Sequence, residues 1–146
     1  MTRVFTVEEA NRTLPLVSRI VEDIVRDYAR WREKVDAFEV EVARSEGAEA
    51  GPDALRLEHE AQSLAEEIER CVGELAELGI EFKGFDIGLV DFPGELNGRP
   101  VFLCWRLGES QVEYWHETES GFAGRQPVHA ATVSGGGDQG DGASHQ

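Results

Sequence analysis

The sequence predicts an α+β fold: a long antiparallel, coiled-coil-like helical hairpin capped by a small antiparallel β meander of three to four strands. Three observations carry that prediction. Apolar residues recur in steps of four and three through two long stretches. A polar break containing Gly and Pro joins these stretches. Beyond Gly79 the period drops to two, and aromatic and β-branched residues take over.

The first helix is expected over about residues 7–44. Thr6-Val7-Glu8-Glu9 reads as a capping box, with acidic residues at the positive end of the helix dipole. Its apolar seam is Ala10, Leu14, Val17, Val21, Ile24, Tyr28, Trp31, Val35, Phe38 and Val42, flanked in the first half by Leu16, Ile20 and Val25. Pro15 falls inside the helix and removes a backbone donor. After the break Ser45–Asp53, a second helix over about residues 53–78 carries Leu57, Ala61, Leu64, Ile68, Cys71, Leu75 and Leu78. Pro52 suits its first turn, and Gly79 ends it. Folding the two back to back leaves Ala10, Leu14 and Val17 without a helical partner, because the first helix is the longer. The residues after Gly79 must cover them.

The meander is expected over about residues 80–116. Asn97-Gly98 signals a two-residue hairpin turn. That turn sets Phe92 opposite Leu103 and Val90 opposite Trp105, an apolar face for the bare helix end. An even number of residues in the next turn adds Val112 and Tyr114 to it. Asp91, Cys104, Arg106, Glu113 and Trp115 then share the other face, where Arg106 between Asp91 and Glu113 reads either as a cross-strand ion-pair cluster or as a guanidinium that grips a carboxylate or phosphate. A Gly-rich loop over 117–127 follows. The segment 128–146 is Gly-rich, nearly free of large apolar residues, and expected to be a disordered tail.

Composition narrows the partners. A net charge of −15, concentrated in the helical half and with no basic patch, argues against nucleic acid and against anionic membrane surfaces. The N-terminus lacks the pattern of a signal peptide, and no apolar run is long enough to span a membrane. Cys71 and Cys104 lack paired spacing, so a reducing, cytoplasmic setting is expected. Both are read as packed core residues. The hairpin's flanking apolar positions suit pairing with a second copy, and a homodimer is expected.

The candidate site is the corner Trp115-His116 together with Arg125, extended by Arg106 and Asp91. Gly121 and Gly124 can aim successive amides at one point as an anion nest. Arg125 adds a fixed charge, and His116 a group that titrates near neutrality. The leading expectation is an oligomeric interaction module or one that binds a small anionic ligand. The alternative is a small, divalent-metal-dependent enzyme. There His116, Glu113 and Glu117 ligate the ion, with Glu119 or Asp91 as further carboxylate donors, His116 with Glu113 or Asp91 supplies acid–base groups, and Arg125 stabilises negative charge. His59 reads as a solvated helix residue, and His129 and His145 belong to the tail. No P-loop, H-E-x-x-H or Ser-His-Asp spacing is present.

Three blocks, FTVEEANRTLPLV, GLVDFPGELNGRPVFLCWRLGE and WHETESGFAGRQP, occur in that order over about residues 5–127. Together they resemble the prokaryotic domain of unknown function 2203 family. The resemblance implies a stand-alone intracellular protein of this size and brings no activity or catalytic residues with it.

Overall fold

Two long helices and then a five-stranded antiparallel sheet make up the computed structural model, which describes residues 3–45 and 49–128. Helix α1 spans Val7–Ser45 and α2 spans Pro52–Glu77. Strands β1 (Glu81–Gly84), β2 (Leu89–Leu96), β3 (Arg99–Arg106), β4 (Tyr114–Glu117) and β5 (Gln126–Pro127) lie side by side in chain order. Strand β5, inside the expected Gly-rich loop, is the addition to the expected meander. Residues 129–146 of the expected tail lie outside the described residues. Val128 is tied down, its amide donating to the Glu113 carbonyl at 2.8 Å.

The capping box forms at the start of α1. The Glu9 amide donates to Thr6 Oγ1, and the Thr6 amide donates to Glu9 Oε1, each at 3.0 Å. The helix runs on through Pro15. At 1.5 Å per residue α1 is roughly 58 Å long and α2 roughly 39 Å, so the first turns of α1 project past the hairpin. Ala10, Leu14 and Val17 on those turns are buried in one core with Val90, Phe92, Val101, Leu103 and Trp105 of the sheet. Each large side chain so buried contributes roughly 1.5–3 kcal/mol.

Two hydrogen bonds fix the roof in place, one between backbones and one from a backbone amide to a side chain. The Phe5 amide donates to the Pro93 carbonyl at 2.7 Å, and Phe5 packs edge-on against Phe92. From the other side, Asn11 Oδ1 accepts the Val112 amide at 2.7 Å, tying α1 to the β3–β4 loop. The flanking residue Ile20 is buried in this core, and Val25 packs against it. Two of the three flanking positions expected to suit a second copy are therefore covered within one chain, while Leu16 stays exposed. Toward the hairpin loop the packing thins: Val35 and Phe38 are half-buried, and Val40, Val42 and Leu55 are exposed.

The β2–β3 pairing follows from Asn97 and Gly98, whose φ angles of 53° and 78° make the tight turn. Val90 faces Trp105, Asp91 faces Cys104, and Phe92 faces Leu103, as expected. The next pairing departs from expectation. Leu103 faces Trp115, Phe102 faces His116, and Cys104 faces Tyr114. An even turn would have put Tyr114 on the helix side. Instead Trp115 takes that side and lies buried in the core, while Tyr114 and His116 share the outer face. A one-residue change in a strand connection exchanges its faces wholesale.

Candidate functional site

Three adjacent strands place three polar side chains together on the outer face of the sheet. Asp91 of β2 stands opposite Cys104 of β3, and His116 of β4 stands opposite Phe102, two residues before Cys104. His116 is thus a diagonal neighbour of the Asp91–Cys104 pair. The exposures are 3% for Asp91, 0% for Cys104 and 2% for His116. One ligating atom from each falls within 4.8 Å of the others. An outer sheet face is normally wet. Here the segment after β4 folds back across it, with the Arg125 guanidinium 4.1 Å from the Tyr114 ring centre and 4.7 Å from that of Phe122.

The hydrogen bonds fix how His116 is held. Its Nδ1 lies 2.7 Å from the Glu117 carbonyl, which can only accept, so Nδ1 carries a proton. Its Nε2 lies 3.0 Å from Asp91 Oδ1. One proton sits in that second contact, on the imidazole or on the carboxyl. Both ring nitrogens are therefore engaged. Burial pushes the Asp91 carboxyl above its ordinary range, against the opposing pull of His116 and Lys83. Burial, and then the neighbouring Asp91, push the Cys104 thiol up to about 12, so it is protonated at neutral pH.

Asp91 and His116 form the floor of an open cleft of about 370 Å³, walled by Lys83, Phe102, Thr118, Ser120 and Phe122. The Lys83 ammonium pairs with Glu81 at 3.0 Å and stays partly exposed. Gly121 also lines the cleft, and its φ of 72° lets the chain turn back over the sheet.

The remaining expected site residues disperse. Trp115 is on the helix side. Arg125 spends its charge on Glu109, at 2.7 Å, and on the Cys104 carbonyl, at 3.4 Å. Arg106 is exposed and pairs with neither Asp91 nor Glu113. The amides of Ser120, Gly124 and Arg125 donate to the carbonyls of Glu117, Gly121 and Phe122, so these three are taken up by the turn itself. Among the expected metal ligands, Glu113 is exposed and away from His116. Glu117 pairs with Arg99 and, one residue on from His116, points to the opposite side of the sheet. Cys104, read from sequence as packing alone, takes their place beside His116.

A helical hairpin roofed by a meander, with a buried Asp–Cys–His cluster on the outer side of the roof, defines the class of protein. The chain belongs to the family described as uncharacterized conserved protein (DUF2203), whose model matches residues 3–128. No curated protein and no solved structure matches it. Among the described residues, no helix is long and apolar enough to cross a membrane.

Proposed function

We propose that this chain is a small-ligand binding module whose site is the cleft above the Asp91–His116 pair. The observation that carries the reading is that buried, hydrogen-bonded polar floor beneath an open cleft whose wall carries the partly exposed, Glu81-paired Lys83 ammonium. A general base needs a nitrogen free to take a proton from substrate. His116 has neither nitrogen free, which favours binding over acid–base catalysis. The aromatic rings of Phe102 and Phe122 would take a flat apolar body, and Lys83 would take an anionic head. Small aromatic carboxylates are the matching probes. In ligand-observed NMR they should bind the native chain, while their neutral amides bind at least about tenfold more weakly, by loss of a charge-assisted bond. Lys83→Ala should erase that difference. Equal binding of acid and amide by the native chain would refute the reading.

The loop-proximal half of the hairpin, where Val40, Val42 and Leu55 remain exposed, is where we propose that a second copy docks. Two free, buried thiols fit a reducing compartment, and the cytoplasm is the setting we assign.

A further inference from the structure

We propose that Asp91, Cys104 and His116 form a site for one divalent transition ion of the zinc type, whose fourth coordination position opens to the cleft. The inference does not depend on the cleft's organic ligand. It begins with the donor set: one carboxylate oxygen, one sulfur and one imidazole nitrogen. Borderline-soft ions such as zinc and cobalt accept that combination, whereas magnesium and calcium prefer all-oxygen sites.

Geometry supports it next. Bond lengths of about 2.0–2.3 Å set tetrahedral donors roughly 3.3–3.6 Å apart. The His116 Nε2 to Asp91 Oδ1 separation is already 3.0 Å, and the widest separation in the set is within 4.8 Å. Closing on an ion requires a movement of about 1 Å. His116 is also pre-oriented. Its Nδ1–H is spent on the Glu117 carbonyl at 2.7 Å, which fixes the ring and leaves Nε2 as the ligating atom.

Charge balance completes the argument. Without an ion, the Asp91–His116 pair with its one shared proton is neutral, and so is the protonated Cys104 thiol. A dication displaces two protons to solvent, one from between Nε2 and Oδ1 and one from sulfur. The occupied site, with one carboxylate, one thiolate and a neutral imidazole, is again neutral. The exchange adds no net charge to a buried cluster, where an unbalanced charge costs several kcal/mol. The nearby cations are Arg125, paired with Glu109 beside Cys104, and Lys83, close to Asp91. Asp91 and His116 line the cleft, so entry and the fourth ligand come from that side, as water or as an exogenous donor.

The test uses the full chain without a histidine tag and cobalt(II) or zinc(II) alone. Native protein should bind one ion per chain in calorimetry. The cobalt form should show a thiolate-to-cobalt charge-transfer band in the near ultraviolet. Cys104→Ser should abolish that band, and Asp91→Asn should weaken zinc by more than the roughly 10–100-fold that loss of an outer hydrogen-bond partner costs. Lys83→Ala, which removes the ammonium from the cleft wall and none of the three donors, should keep the cobalt charge-transfer band, so this inference and the ligand reading fail separately. A native cobalt spectrum without the band overturns the proposal, even if the variants do not fold. So does zinc affinity that survives Cys104→Ser and Asp91→Asn undiminished.

Discussion

Arg125 illustrates what a half-sequestered charge needs. Its guanidinium is laid between the rings of Tyr114 and Phe122 and donates to Glu109 Oε1 at 2.7 Å. Burial pushes Glu109 up, but the bonds from Arg125 and from the Arg106 amide outweigh it and hold the carboxyl below its ordinary value. A carboxyl so depressed contributes stability above its unfolded value, and that contribution disappears as pH falls through the folded one. Glu109→Gln should therefore cost about 1–2 kcal/mol at pH 7 by urea unfolding. Its penalty should shrink below pH 4.5, the ordinary value of the group. A penalty that is constant with pH would show that the ion pair contributes nothing there. This pairing was not legible in the sequence. Glu109 sits in a turn sixteen residues upstream of Arg125, where no periodicity links the two. An Arg near two glycines therefore read as an open anion anchor.

At the scale of elements, the connections decide more than the strands do. Gly88, just before β2, has a φ of 69°, and a Cβ there would lie 2.8 Å from both Leu107 Cβ and Val21 Cγ1. Gly98 has a φ of 78° but open space around it. Both positions resist alanine through backbone strain of about 1–2 kcal/mol. Only Gly88→Ala should add the overpacking penalty of roughly 1–3 kcal/mol, because there the sheet touches α1. Equal losses for the two variants in chemical denaturation would sink that explanation. The Asn97-Gly98 hairpin was readable because a two-residue turn leaves one register, and Asp91 duly stands opposite Cys104. The β3–β4 turn carried no such signal. Its parity, invisible in sequence, is what exchanged Trp115 for His116 on the outer face and drew the cluster together.

Over the whole molecule, helix lengths and the bare seam of α1 sufficed to read the architecture, since Leu14 and Val17 had only the C-terminal strands to cover them. The covering is uneven. The core is dense where the sheet meets α1 and sparse toward the hairpin loop, where Val40, Val42 and Leu55 face outward. If a second copy completes that end, sedimentation should give a dimer for the native chain and a monomer for Val40→Glu/Val42→Glu with unchanged helix content. A native monomer at micromolar concentration would rule the pairing out.

The bond from Val112 to Asn11 spans 101 positions. Ribosomes add about 5–20 residues per second, so α1 waits on the order of 5–20 s before its clasp is synthesised. Throughout that interval the nascent chain carries a greasy, unroofed stripe at its leading end. Exposure to aggregation is therefore greatest during synthesis, before the strands exist to close over that stripe.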